Sequence, residues 1–570
     1  MHFDHVKQIR HWLRERGLVG FIQPRNDEFL GEYVPDSDAR LAWLTGFTGS
    51  AGLAIVLAEQ AAVFSDGRYT LQLAEQTDPA LWQRLHMIET KPEAWLAAQV
   101  PAGARIGYDP WLMSANTVAA FSDAGVIMVP SDNPIDLFWQ NRPAFPTALA
   151  QPHPLAYAGE AASDKRARIA ATIAASGADA ALLTDPHAVA WLLNLRGGDL
   201  PHTPLALATA LLRRDGSLDL FIDPAKIDAT TSEHLGPSVA VVARDAMTQA
   251  LGTLRGKRVV LDPATAPIRY TQMLGDLGAI TVSGEDPCVL PRALKNPVEQ
   301  AGARAAHRRD ALAMSRFITW FTREAPRGML DELVAAAKLR AFRAESPAFR
   351  AESFSPISGA GEHGAVIHYS ATPASNRLIQ PNELYLIDSG GQYPDGTTDI
   401  TRTLWTGPDA PPPAIIEHYT RVLAGHIALA RAIFPEGTTG PQLDVLARAP
   451  LWEIGLDFDH GTGHGVGSFL SVHEGPAGIS RAGKPVPLQP GMILSNEPGF
   501  YQPGAYGIRI ENLLLVKPCT HLAANSRRFL EFETLTLVPY DDRLIDLSLL
   551  DAPSRAWLEN YQAQVQALHR

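Results

Sequence analysis

One run in the last third of the chain carries a conflict that limits how it can fold. Gly507-Ile508-Arg509-Ile510-Glu511-Asn512-Leu513-Leu514 reads as a buried strand, yet Glu511 interrupts it. A carboxylate in such a run needs a partner or a cation, because an unpaired charge is costly away from water. The conflict recurs upstream. Leu384-Tyr385-Leu386-Ile387 ends on Asp388, and Met492-Ile493-Leu494-Ser495-Asn496 ends on Glu497 beside Pro498 and Gly499. Asp388 and Asp399 flank Pro394-Asp395-Gly396, a turn sequence, so a hairpin would set both carboxylates side by side. Taken alone, these two aspartates also fit a solvated strand end and a turn.

Between these runs lies His460-Gly461-Thr462-Gly463-His464-Gly465-Val466-Gly467, followed by His473-Glu474-Gly475-Pro476. Glycines here let the backbone approach a ligand closely. A phosphate loop is the rival reading, but the spacing is not G-x-G-x-x-G and no Lys-Ser/Thr follows. Four carboxylates (Asp388, Asp399, Glu497, Glu511) and the His464 imidazole would be costly to bury together without cations. Two divalent ions cancel about four negative charges. An oxygen-rich set with one nitrogen suits Mn, Co, Zn or Fe.

The 570 residues are enough for roughly three domains. The formal charge of -12 argues against a nucleic-acid partner and against a basic membrane-docking face. Two cysteines, Cys288 and Cys519, cannot form a disulfide framework, which fits a reducing, cytoplasmic setting. The polar start runs into an amphipathic stretch (Val6, Ile9, Trp12, Leu13), so a secretory signal is not expected, and no apolar run approaches the ~20 residues of a membrane span.

Strand and helix patterns alternate over residues 1–154. They begin with a strand at Leu18–Ile22, a hairpin at 52–64 and helical spacing over Arg68–Gln76, and close on a Pro-rich linker. Residues 155–294 repeat some of these landmarks. Trp43-Leu44-Thr45-Gly46-Phe47 has a counterpart in Trp191-Leu192-Leu193-Asn194-Leu195, and Phe64-Ser65-Asp66 in Phe221-Ile222-Asp223. Two similar α/β units are expected. Residues 295–570 open on helices (299–323, 331–342) and continue as strands and Gly-rich turns with helices near 414–432 and 440–454. That order points to an α+β domain.

These motifs, in this order, resemble the creatinase/methionyl aminopeptidase superfamily, peptidase family M24, in its three-domain Xaa-Pro aminopeptidase form. The motifs are Asp388-Ser389-Gly390, Asp395 to Asp399, Gly461 to Gly465, Glu497-Pro498-Gly499 and Arg509-Ile510-Glu511-Asn512. Phe529 to Thr536 resembles the C-terminal extension of the longer members. The resemblance implies a pita-bread catalytic domain behind two creatinase N-terminal-like domains, with two divalent metal ions, manganese by family expectation.

It also implies roles. Asp388 resembles a terminal ligand, Asp399 and Glu511 the bridging ligands, and His464 and Glu497 the remaining ligands. His368, His460, His473 and Arg509 match residues that bind substrate, shuttle protons or support the carboxylates, and Glu497 could serve as proton acceptor. His363 lies outside the match and reads as a surface-loop histidine. The implied activity is removal of the N-terminal residue from peptides with proline second, through a metal-bridging hydroxide, by a homodimer. A prolidase acting on Xaa-Pro dipeptides and a non-enzymatic pita-bread binding protein are the alternatives. The chain's length disfavours the first, and the full ligand set disfavours the second.

Overall fold

The computed structural model describes residues 2–522 and 527–568. The chain divides into two compact units, one of residues 1–153 and 160–288 and one of residues 154–159 and 289–570.

The first unit contains the same sheet twice. In chain order the first sheet uses Gly20–Pro24, Leu53–Leu57, Ala61–Ser65, Gln83–His86, Arg105–Tyr108 and Ile127–Pro130. The second uses Ala180–Leu183, Thr209–Arg213, Leu218–Phe221, Val239–Val242, Arg258–Leu261 and Ile280–Ser283. Numbering each set one to six, both run 4-3-2-1-5-6 across the sheet. In both, strand 1 is antiparallel to strand 2 and parallel to strand 5.

The repeated sequence landmarks occupy equivalent places. The helices Arg40–Thr45 and Pro186–Leu193 both end on a left-handed residue, Gly46 and Asn194. Asp66 and Asp223 each follow the third strand and cap a short 3-10 turn by accepting from the amide two residues on. The Pro-rich linker differs from expectation at its end. Gln151–Pro152 pairs with Leu195–Arg196, so those residues are already stitched to the second sheet's surroundings.

The second unit begins with the helix Pro297–Glu324. Asn296 accepts from the amides of Val298 and Glu299, and the Glu299 carboxylate accepts from the Asn296 amide, so a capping box starts it. Its buried residues Ala303, Ala306, Asp310, Met314, Phe317 and Phe321 recur at helical spacing and form one face. Asp310 on that face accepts from buried Arg343 of the helix Glu332–Ala344, at 2.8 and 3.0 Å, and from the Tyr393 hydroxyl at 2.8 Å.

Every strand pair in this unit is antiparallel. A six-stranded sheet runs in the order 433–435, 529–534, 512–518, 493–496, 463–465, 474–479. Three smaller sheets hold 357–360 with 384–389 and 400–405, 351–352 with 391–393 and 396–397, and 499–502 with 506–509. The helices Pro413–Ala430 and Gly440–Trp452 pack on each other and on this framework. The α+β pita-bread expectation holds, as do the duplicated α/β units before it. Among the described residues, no helix is long and apolar enough to cross a membrane.

Arg402, wholly buried, joins several of these pieces. Its guanidinium donates to the carbonyls of Thr401, Glu511, Val538 and Pro539, to the Asn512 side chain and to the Tyr561 hydroxyl on the C-terminal helix. Replacing it with methionine strands these acceptors in the interior. The R402M protein is expected to lose about 3 kcal/mol or more of apparent stability in urea unfolding. A loss under about 1 kcal/mol would show that the acceptors find other partners.

Candidate metal centre

Two hairpins supply the four carboxylates, and each hairpin breaks where it supplies them. In the first, Leu384–Ser389 pairs with Ile400–Trp405, placing Asp388 opposite Thr401. Beyond Ser389 the chain bends at Gly390, and 391–393 pairs with 396–397 in a different sheet. A Cβ at Gly390 would collide with the Thr398 carbonyl and the Ser353 hydroxyl, so the bend requires glycine. Asp399 lies in this break. The tip of the hairpin is pinned, because Arg309 of the long helix pairs with Asp395.

The second hairpin repeats the device. Ile493–Asn496 pairs with 512–515, and Gly499–Gln502 pairs with Tyr506–Arg509 in another sheet. Glu497 and Pro498 on one side, and Ile510 and Glu511 on the other, form the joint. The uninterrupted strand expected through Glu511 is therefore two strands in two sheets. The conflict between a carboxylate and an apolar run is resolved by ending one strand before Glu511 and starting the next after it. The tip of this hairpin, residues 503–505, is exposed.

The side chains converge. One ligand atom from each of Asp399, His464 and Glu511 lies within 4.8 Å of the others. His464 Nε2 is 3.5 Å from Asp399 Oδ2 and 3.5 Å from Glu497 Oε1. Its Nδ1 faces the Gly465 carbonyl at 2.9 Å, which can only accept, so Nδ1 carries a ring hydrogen, and in the neutral ring Nε2 turns a lone pair toward the carboxylates. Asp388 accepts from Arg509 Nη2 at 2.7 Å through Oδ2, while its buried Oδ1 has no hydrogen-bond partner among the described residues. Glu511 accepts from the Thr401 hydroxyl at 2.8 Å, and Glu497 from the Ser495 hydroxyl at 3.2 Å.

A lone pair and an unsatisfied carboxylate oxygen aimed into a cluster of carboxylates fit cations and little else. The residues present thus suit a metal pair: Asp388, Asp399, Glu497 and Glu511 with His464. Burial, then the charges of Asp388 and Glu497, pushes the Asp399 carboxyl well above its ordinary range. Burial, then Asp399, Glu497 and Asp388, does the same to Glu511. Burial lifts Glu497 to about 7, with Arg509 opposing and Asp388 assisting.

The remaining histidines take different positions. The His473 ring stands 4.4 Å from the His464 ring, edge to face. His460 belongs to a chain of hydrogen bonds. Arg509 Nη1 donates to the Tyr501 hydroxyl at 2.7 Å, and that hydroxyl is 2.8 Å from His460 Nε2. His460 Nδ1 is 2.7 Å from the Gly461 carbonyl, which makes Nε2 the acceptor of the Tyr501 proton. Arg509 thus links Asp388 to His460 through Tyr501. Against the cost of burial, Tyr501, Asp388 and Glu497 push the guanidinium further into its charged form.

His368 lies on the loop after the 3-10 turn Gly361–Ala365, and that turn packs on Tyr506–Arg509. The loop is fixed from below by Glu332, whose buried carboxylate accepts from His363 at 2.8 Å, from the Tyr369 hydroxyl at 2.9 Å and from the Ala360 amide at 2.9 Å. His363 is therefore not a surface-loop histidine. It is half-buried, paired with Glu332 and packed on the Tyr369 ring.

The glycines around His464 also differ from expectation. A Cβ at Gly463 would strike the Ser495 carbonyl, and one at Gly465 the Glu474 carbonyl, so they admit neighbouring strands rather than a ligand. Tyr501 and Glu332 had no signal in the sequence beyond lying near apolar residues.

Family comparisons agree with this geometry. Residues 301–518 match the model of metallopeptidase family M24, and 528–569 that of its C-terminal region. Residues 5–138 and 141–299 match creatinase/prolidase N-terminal domain models. The chain belongs to metallopeptidase family M24. It is 37% identical to aminopeptidase P2 of Arabidopsis thaliana, over 96% of this chain and 83% of that protein. It is 38% identical to a probable Xaa-Pro aminopeptidase P of Fusarium vanettenii, over 98% of this chain and 94% of that one.

Among solved structures, X-prolyl aminopeptidase from Caenorhabditis elegans, described as a cytosolic enzyme with a di-nuclear active site, superposes with a TM-score of 0.93 at 32% identity, covering 100% of this chain and 96% of that one. An Xaa-Pro dipeptidase from Bacillus anthracis reaches 0.55 at 22% identity and covers 67% of this chain and 99% of its own, a likeness of fold alone.

The raised carboxyls give a pH signature. Metal-free, Glu497, Asp399 and Glu511 hold protons more tightly when folded than when unfolded, so their contribution to stability is present at low pH and lost as pH rises, for Glu497 through about 7. Metal binding removes that loss. The melting temperature of Mn2+-loaded protein minus that of stripped protein is expected to widen between about pH 5.5 and 8. A gap that is constant or narrows with pH would contradict the assignment.

Proposed function

We propose that the chain is a metal-dependent aminopeptidase that cleaves the bond between an N-terminal residue and a following proline. The observation that carries this is the convergence of four carboxylates and the neutral His464 Nε2 at the joints of two hairpins, within a chain whose relatives along nearly its full length are aminopeptidases P. In the same proposal Asp388, Asp399, His464, Glu497 and Glu511 hold two divalent cations, manganese by preference. When bound, these supply Lewis acidity and lower the pKa of water into the neutral range.

The protein's own groups do the rest. Glu497, on the joint between two strands, accepts a proton from the attacking water. An Xaa-Pro bond is a tertiary amide without an N–H, so its prolyl nitrogen leaves as an amine only after gaining a proton. Glu497 and His473 are placed to return that proton. His368 and His473 hold the scissile carbonyl as its oxygen gains charge. Arg509 holds the Asp388 carboxylate in position, and through Tyr501 it sets the orientation of His460.

We further propose three domains, 1–154, 155–294 and 295–570, with the twin sheets supporting the first division. A cytoplasmic location is supported by two cysteines that form no disulfide with each other. A homodimer follows from the family resemblance, with light scattering as its check.

The test pairs an Xaa-Pro-Yaa tripeptide with an Xaa-Pro dipeptide. Metal-dependent cleavage of the tripeptide is expected, and elemental analysis of unstripped protein should return two divalent cations per chain. The D399N protein is expected to lose activity by about a thousandfold or more while keeping its fold by circular dichroism. Cleavage of the dipeptide alone would make the enzyme a prolidase, and full activity in D399N would refute the site.

A further inference from the structure

We propose a third metal site on the catalytic unit, built from Cys519, His521 and Glu531, that takes Zn2+ or a similarly thiophilic divalent cation. Nothing in the peptidase reaction uses these residues. They come together because of strand register. Lys517 faces Glu531 across the ladder of Asn512–Pro518 and Phe529–Thr534, and the Cys519 amide bonds the Phe529 carbonyl at 2.9 Å. Cys519 therefore continues the face that holds Lys517, diagonal to Glu531, and His521 follows two residues on.

One ligand atom from each residue lies within 4.8 Å of the other two. Cys519 Sγ is 3.5 Å from His521 Nδ1, and the same nitrogen is 3.5 Å from Glu531 Oε2. With Zn–S of about 2.3 Å and Zn–N and Zn–O of about 2.1 Å, a tetrahedron has an S···N edge of about 3.6 Å and an N···O edge of about 3.4 Å. The two separations have the lengths of those edges, but Sγ is also 3.8 Å from His521 Nε2, so the imidazole has to turn on binding to aim Nδ1 at the cation.

A thiolate, an imidazole and a carboxylate are the donors that zinc accepts, and three protein ligands leave a fourth position for water. Binding forms one S–metal, one N–metal and one O–metal bond and releases the Cys519 thiol proton to solvent, with no change of oxidation state.

This site is separate from the peptidase centre. At a strand rise of about 3.3 Å per residue, Cys519 lies roughly 25 Å along the strand from Glu511. It also differs in chemistry, because the peptidase set contains no sulfur, and the chain's other cysteine, Cys288, is buried elsewhere. One neighbour opposes the site: Lys517 Nζ is 3.3 Å from Glu531 Oε1, and its charge repels a cation held by the other oxygen.

The probe is Co2+, added to full-length protein whose peptidase centre is first loaded with Mn2+. Thiolate-to-cobalt charge-transfer absorption should saturate at one equivalent per chain and bleach on adding Zn2+. C519S should abolish it, H521A should weaken binding by about tenfold or more, and C288S should leave it intact. K517M should tighten binding several-fold, since a repulsive charge is gone. Hydrolysis of Xaa-Pro-Yaa with Mn2+ should be unchanged in H521A, C519S and K517M. No charge-transfer band in the wild-type protein, a band that survives C519S, or weaker binding in K517M would overturn the proposal.

Discussion

Four carboxylates in one buried place repel one another and lose their hydration, and the organisation of the catalytic unit follows from that cost. Asp399 and Glu511 are almost fully buried, and Asp388 is nearly so. The protein offsets part of the repulsion itself. Arg509 faces Asp388, and the hydroxyls of Thr401 and Ser495 donate to Glu511 and Glu497. Burial and the neighbouring carboxylates lift Asp399 and Glu511 well above the ordinary range, with His473 opposing the rise at Asp399. That cost is what a bound cation would relieve.

Arg402 makes that arrangement rigid. It binds one carbonyl from each hairpin, Thr401 and Glu511, and reaches the C-terminal helix through Tyr561. The residues matched by the model of the family's C-terminal region are thus wired to the backbone of two ligand-bearing segments.

The carboxylates that the structure brings together stood out in the sequence because charge inside an apolar run is rare and needs a cause. Asp388 and Asp399 around Pro394-Asp395-Gly396 announced a hairpin, and the hairpin is present. The break at Gly390, and the matching joint at Glu497 and Glu511, were not legible. Periodicity reports which face of a strand is buried but not when a strand passes from one sheet to another. Tyr501 and Glu332 were invisible for a related reason: an aromatic or a carboxylate near apolar residues acquires its role only from partners distant in the chain. The duplication of the α/β unit showed through sparse landmarks. Those landmarks are the helix-ending left-handed residues and the capping aspartates, positions where backbone geometry narrows the choice of residue.

The two hairpins differ at their tips. One is clamped to the long helix through Arg309 and Asp395, while the other, at residues 503–505, projects into solvent. Both arrive at the same centre, so the proposed metal ligands are aligned by ladders behind the tips. Lengthening the clamped tip would have to displace a helix, whereas the open tip can drift in length and composition without moving Glu497 or Glu511. Natural variation and deliberate grafting should therefore concentrate on the open side, leaving one flank of the centre as a fixed wall and the other as its adjustable rim.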